Sequence, residues 1–222
     1  MVYTVKKTTP SNRSRNRKKQ SAPHLNVPKP NVETINGVLK AWMVTPNYPD
    51  VARHAEAVLA KLAIWQSEGI LWGVSADTVS YNTCINCWKE SGIKGAAQRA
   101  TEILVLMEDE STTIIPDDIS YTTCIGAWAD CSSRDPNAGR HAEEILMRMH
   151  NRNASGDDSA APRPTARCFN AVLLAYANGR QRGGGKRALE LLRFMERLHS
   201  EEGYTDLSPD TYTFNIVMKV SA

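Results

Sequence analysis

Residues 80–88 read Ser-Tyr-Asn-Thr-Cys-Ile-Asn-Cys-Trp, and variants of this phrase recur at 34–42, 120–128, 168–176 and 213–219. The third residues of successive copies lie 46, 40, 48 and 45 positions apart. Self-similarity at such a period is typical of stacked repeats, in which no single unit buries its apolar face alone. The sequence therefore predicts a repeat array whose functional surface is shared between units.

A second phrase follows each of the first four copies. It runs from an alanine to a large apolar residue seven positions later, at 55–62, 100–107, 142–149 and 188–195. Apolar residues three, four and seven positions apart form one stripe of an α-helix, and the small alanine lets two helices approach closely. Each unit is therefore predicted to be a helical hairpin, in which helix A carries the first phrase and helix B the second.

We expect an all-α fold, an α-solenoid of stacked antiparallel helical hairpins that winds into a right-handed superhelix without β-sheet. The four full units are placed at about 31–76, 77–116, 117–164 and 165–209, and a truncated fifth at 210–222. Asp117 and Asp210 each follow a proline at the start of a helix A, where a carboxylate can cap the exposed amides. Because the last unit holds only a first helix, we expect the chain to be a fragment or an incomplete gene model.

The charge is divided unevenly along the chain. Residues 1–30 hold eight basic side chains and no acidic one, which is expected of a disordered tail or of the remnant of a targeting sequence. The net charge of the whole chain is +3, so residues 31–222 carry 19 basic and 24 acidic residues, a net −5. A protein that binds nucleic acid by bulk electrostatics would be more basic. Such binding must therefore come from a local groove, from stacking or from the tail.

Two broad classes are disfavoured by composition. The apolar runs are far shorter than the ~20 residues of a membrane-spanning helix, so we expect no membrane insertion. The five cysteines suit a reducing compartment better than a disulfide framework.

One group of residues matches the sequence motif of an enzyme active site. Zinc-dependent deaminases use a His-x-Glu motif and a later Cys-x-x-Cys motif to hold zinc and to move protons, and this chain has His54, Glu56, Cys84 and Cys87 at matching positions. The repeat explains the same residues, because 141–143 is again His-Ala-Glu, without a Cys-x-x-Cys after it. We favour small buried thiols and expect His54, Cys84 and Cys87 not to converge. The deaminase stays an alternative.

An aromatic residue ends helix A in each full unit. These residues are Trp42, Trp88, Trp128 and Tyr176. Such a series could form a base-stacking ladder, but its place in every hairpin favours packing between hairpins.

Taken together, the pattern Pro-Asp-x-x-Ser-Tyr-Asn-Thr-x-Ile, followed by Ala-x-x-Ile-Leu-x-x-Met, resembles the pentatricopeptide-repeat family. The resemblance covers residues 30–222, and four units share it in register. The units are several residues longer than typical repeats of the family at both turns, as in the looser repeats of algal and protist members.

The resemblance implies a function in RNA binding. Single-stranded RNA would lie along the successive A helices, and each unit would read one base with two or three side chains. The base-selecting residues would be Asn36, Asn82, Thr122 and Asn170, with their partners Asp77, Asp117, Thr165 and Asp210 just before the next helix A. Bases would be held between Val79, Ile119 and Tyr212. Asparagine paired with aspartate prefers uracil in the family, so a U-rich target is implied, whereas Thr122 with Thr165 leans to a purine.

The resemblance also implies where in the cell the protein acts. Family members act in mitochondria or plastids, where they support RNA processing, stability or translation, and this chain would be no enzyme and need no cofactor, metal or small-molecule substrate. A helical-repeat scaffold for protein partners, as in tetratricopeptide arrays, is the alternative from another class. The net negative charge of residues 31–222 favours the scaffold, whereas the asparagine–aspartate pairing at three of four unit boundaries opposes it.

Overall fold

The computed structural model describes residues 30–44, 50–70, 74–155, 161–179, 182–201 and 203–221. These residues form nine α-helices and no strand, which confirms the predicted all-α class. The helices are α1 (Val32–Met43), α2 (Val51–Ser67), α3 (Thr78–Ser91), α4 (Ala96–Met107), α5 (Asp118–Cys131), α6 (Ala138–Ala154), α7 (Ala166–Asn178), α8 (Gly184–Glu201) and α9 (Thr211–Ser221). The predicted basic tail at 1–30 lies outside the described residues, apart from Pro30.

Capping boxes mark the first residues of the A helices α3 and α5. Asp77 accepts a hydrogen bond from the backbone N–H of Ser80, and the Ser80 hydroxyl accepts one from the backbone N–H of Asp77. Asp117 and Ser120 form the same reciprocal cap on α5. Such a capping box satisfies two amides that the first helical turn leaves without partners. Asp77 and Asp117 therefore fix where α3 and α5 start.

Glycines end one helix and introduce the next. Gly92 closes α3 with a left-handed φ of 61°, and Gly95 precedes α4 with a φ of 85°. Residues with a side chain rarely adopt these angles. The chain therefore reverses between helix A and helix B of the second unit.

The helices stack in two layers. The A helices α1, α3, α5, α7 and α9 pack against one another in a continuous row, and each B helix packs against its own A helix and the next one. No comparable packing joins successive B helices in the part of the chain that the structure describes. Ion pairs connect them instead, from Arg99 on α4 to Glu56 on α2 and from Arg187 on α8 to Glu143 on α6. This arrangement is an α-solenoid.

The core lies between the two layers. The alanine that opens each second phrase is fully buried, at 55, 100, 142 and 188. Tyr121, Leu146 and Phe169 are among the largest side chains with no exposed surface. None of the described helices is long and apolar enough to cross a membrane.

Candidate nucleic-acid interface

A polar cluster forms where helix A of one unit meets helix A of the next, and we call each such place a junction. At the second junction Asn82 Nδ2 donates a hydrogen bond of 2.9 Å to Asp117 Oδ1. The Ser120 hydroxyl donates one of 2.6 Å to Asn82 Oδ1. Only 8% of the Asn82 surface is exposed. Both ends of the amide are therefore oriented by the following unit.

The first junction repeats this geometry. Asn36 Nδ2 lies 3.2 and 3.3 Å from the two carboxylate oxygens of Asp77, and the Ser80 hydroxyl donates to Asn36 Oδ1 at 2.6 Å. The predicted pairs Asn36–Asp77 and Asn82–Asp117 are thus in direct contact.

The fourth junction keeps part of the cluster. The Thr213 hydroxyl lies 2.8 Å from both Asn170 Oδ1 and Asp210 Oδ1. Among the described residues the predicted pair Asn170–Asp210 is therefore connected through Thr213, without a direct hydrogen bond. The amide of Asn170 is held at its carbonyl end.

The third junction has different chemistry. Thr122 Oγ1 lies 3.2 Å and Thr165 Oγ1 3.4 Å from the sulfur of Cys168, which is fully buried. All three members differ from those of the second junction, which are Asn82, Asp117 and Ser120. This junction offers neither an amide nor a carboxylate to a ligand.

The fixed amides keep hydrogen-bonding capacity. A side-chain amide has two N–H groups and two lone pairs, so Asn82 retains one of each after its contacts with Asp117 and Ser120. Val79 lies one turn before Asn82 on the same helix, and Ile119 adjoins Ser120; they are 45% and 54% exposed. Apolar surface therefore borders an oriented polar edge, an arrangement that can hold a flat ring and contact its rim. Tyr212, predicted to stack at the last junction, is also exposed.

The hydroxyl members of the clusters were missed in the sequence. Ser80, Ser120 and Thr213 connect each asparagine to the following unit. Their signal is the spacing Asp-x-x-Ser or Asp-x-x-Thr, which marks a capping box. That spacing predicts the cap but not the additional hydrogen bond to the preceding unit.

The carboxylate of Asp77 is stabilised in its charged form. Partial burial raises its pKa, but hydrogen bonds from the backbone and hydroxyl of Ser80 and from Asn36 outweigh that effect, and the pKa is lowered below its ordinary value. The charged form is therefore favoured by folding.

Replacing Asp77 by asparagine is expected to lower stability at neutral pH, and the difference from the wild type should shrink in acid. Because the folded pKa lies below the unfolded one, the carboxylate stabilises the fold above about pH 4, and this contribution is lost as pH falls through the folded pKa. Asparagine does not titrate and caps a helix about as well. Urea unfolding of both proteins across this range measures the difference. A difference that stays constant down to about pH 2 would contradict this account.

Three of the four aromatic residues that end the A helices face the interior, whereas Trp42 is only partly buried. Trp88 Nε1 donates to Glu56 at 3.2 Å, and Trp128 Nε1 donates to Thr101 at 2.9 Å. The Tyr176 hydroxyl donates in the same way to a B-helix residue of the preceding unit, Glu143. All three aromatic residues are buried, which agrees with packing between hairpins and not with a stacking ladder on the surface.

The residues that imitate a deaminase motif belong to different helices. His54 is exposed on α2, with its ring 5.7 Å from that of Trp42, whereas Cys84 and Cys87 are buried on α3. Burial raises the pKa of the Cys87 thiol to about 11 and raises that of Cys84 further. In the described ranges no three His, Cys, Asp or Glu side chains are grouped to hold a metal ion, and residues 74–83 contain no strand, while 71–73 lie outside the description.

The fold and the repeated junctions define the class of the protein, an α-helical repeat protein of the solenoid type. A scan against protein-family models finds no match for the chain, and a search of the curated proteins finds none either.

Proposed function

We propose that the protein binds single-stranded RNA along its row of A helices, with one base at each junction, in the manner of the pentatricopeptide-repeat family that its sequence resembles. By the same resemblance, its setting is a mitochondrion or a plastid, where it supports RNA processing, stability or translation. The observation that carries the proposal is the second junction, where Asn82 is fixed between Asp117 and Ser120 and bordered by Val79 and Ile119.

The chemistry of the second junction suits a uracil edge. Uracil presents a carbonyl acceptor beside an N–H donor, and the remaining N–H and lone pair of Asn82 complement these two groups. Asp117 accepts a hydrogen bond from the amide nitrogen of Asn82 and so fixes the orientation of that amide. The aliphatic side chains of Val79 and Ile119 provide contact with the faces of the ring.

The affinity of these four junctions is expected to be modest. Base contacts are worth ~1–3 kcal/mol each, and association costs ~4–15 kcal/mol in lost freedom and ordering. The third junction lacks the amide and the carboxylate. Short U-rich RNA should therefore bind weakly, with selectivity concentrated at the first, second and fourth junctions.

Changing Asn82 to threonine while keeping Asp117 is expected to shift the preference at the second junction from U towards G, by the pairing rule of the family. Threonine is already present at the equivalent position of the third junction, as Thr122, so the fold should tolerate it. The change in discrimination should be ~1–3 kcal/mol. Fluorescence anisotropy with labelled RNAs that differ at one base, titrated with salt, measures it.

The matched control is Asn86→Thr, on the same helix but outside the polar cluster of the second junction. The amide of Asn86 contacts the sulfur of Met43 on α1, on the side of the preceding unit. This variant should keep the wild-type base preference. If neither protein distinguishes U from G, the second junction reads no base. If the wild-type chain binds none of the RNAs even at low salt, RNA binding itself is rejected.

A protein-interaction scaffold is the second candidate. It is favoured by the net charge of −5 over residues 31–222, which opposes a phosphate backbone. The scaffold becomes the better proposal if RNA fails to bind and the row of A helices instead retains a protein partner whose binding is lost in an Ile119→Asp variant.

A further inference from the structure

A groove runs along the layer of B helices between α6 and α8, away from the junctions. It consists of two adjoining cavities of about 730 and 430 Å³, which share Met147 and Arg187 in their walls. Since successive B helices do not pack closely against each other, the space between them is open at the surface.

The groove is strongly basic on an acidic array. Seven arginines and three glutamates line the two cavities, a net +4, whereas residues 31–222 as a whole carry −5. The arginines are Arg140, Arg148, Arg152, Arg182, Arg187, Arg193 and Arg197. A local excess of positive charge on an otherwise acidic surface is expected at a binding site for an anionic partner.

Part of this positive charge is not neutralised by ion pairs. Arg140 pairs with Glu144, and Arg187 pairs with Glu143. Within the described part of the chain no ion pair reaches Arg182, Arg193 or Arg197, and all three are exposed. Exposed guanidinium groups without an ion pair can donate two parallel hydrogen bonds to a carboxylate without breaking an existing pair.

The floor of the groove is apolar. Met147 and Phe194 contribute partly exposed surface to it, and Leu191 lies buried beneath them. Arg197 covers a face of the Phe194 ring, with its guanidinium carbon 5.1 Å from the ring centre, so Met147 and the edge of Phe194 are the apolar surface left for a partner. Tyr176 in the wall is only 5% exposed. Since neither ring offers a free face, bases have nothing to stack on here, in contrast to sites for single strands.

We infer that this groove binds an acidic amphipathic peptide segment of a partner protein, with its carboxylates on the arginine rim and its apolar side chains on the floor between α6 and α8. An amphipathic helix in an apolar groove is a common mode of peptide recognition, and the charge of the rim selects acidic segments. The site is independent of the proposed RNA-binding row, so its test does not depend on that proposal.

The probe is a fluorescein-labelled peptide with leucine and glutamate at helical spacing, compared with the same peptide carrying glutamine in place of glutamate. The whole chain should bind the acidic peptide and not the neutral one. The double variant Arg182→Ala/Arg193→Ala should weaken binding by roughly tenfold. The control Arg53→Ala/Arg167→Ala removes the same charge outside the groove and should weaken binding by less than about twofold.

Three results would overturn the inference. The first is the absence of binding by the wild-type chain, and the second is equal weakening by the two double variants, which would indicate attraction by total charge. The third is competition by unlabelled single-stranded RNA, together with a loss of RNA affinity in Arg182→Ala/Arg193→Ala, which would make the groove a nucleic-acid site. Far-UV circular dichroism of both variants checks that they fold like the wild type.

Discussion

Replacing Phe169 by alanine is expected to lower the free energy of unfolding by about 3–5 kcal/mol, the largest single effect that we foresee. Phe169 lies on α7 with none of its surface exposed, and its ring is 5.8 Å from that of Phe194 on α8. Truncation removes this buried contact and leaves a cavity between the layers. Urea unfolding followed by far-UV circular dichroism measures the loss.

The chain supplies a matched control for this substitution. Phe214 occupies the equivalent position of α9, but 44% of it is exposed. Phe214→Ala should cost only about 1–1.5 kcal/mol, although the chemical change is identical. Equal destabilisation by the two substitutions would show that burial between the layers does not determine stability at this repeat position.

Replacing Glu143 by alanine is expected to cost about 2–3 kcal/mol. Glu143 is buried on α6, accepts a hydrogen bond of 2.6 Å from the hydroxyl of Tyr176, and pairs with Arg187. Without it the buried hydroxyl loses its acceptor. The cost stays below that of a fully buried ion pair, because Arg187 is about half exposed and can be hydrated.

The neighbouring Glu144 is the control, since it also forms an ion pair but is exposed. Glu144→Ala should change stability by less than about 0.5 kcal/mol. Combining Glu143→Ala with Tyr176→Phe tests the mechanism, because the double variant should be less destabilised than the sum of the single ones. Strict additivity would mean that the hydrogen bond between Tyr176 and Glu143 contributes nothing.

Helices and their pairing were predictable because their signals act over short distances. The capping box of Asp117 and Ser120 and the left-handed Gly92 each act within one turn of the chain, and the spacing of apolar residues identifies the buried stripe of helix B in each full unit. These signals lie in consecutive residues, so the sequence displays them directly.

The site was predictable only in part. Contact between Asn82 and Asp117 was expected from the family resemblance, whereas the bond from Ser120 to Asn82 spans 38 positions and depends on how far one hairpin is rotated against the next. The arginine groove was not foreseen. Arg148 on α6 and Arg193 on α8 line two adjoining cavities. These arginines come together only because the stack places two non-consecutive helices side by side.

The double role of Asp117 has an evolutionary consequence. One carboxylate caps α5 and accepts a hydrogen bond from Asn82 of the preceding unit, so under the proposed function a mutation that alters base preference at this position would also weaken the start of a helix. New specificities should therefore arise through linked substitutions, not single ones. The third junction shows such a linked difference within this chain, since Thr122, Thr165 and Cys168 all depart together from the pattern of the second.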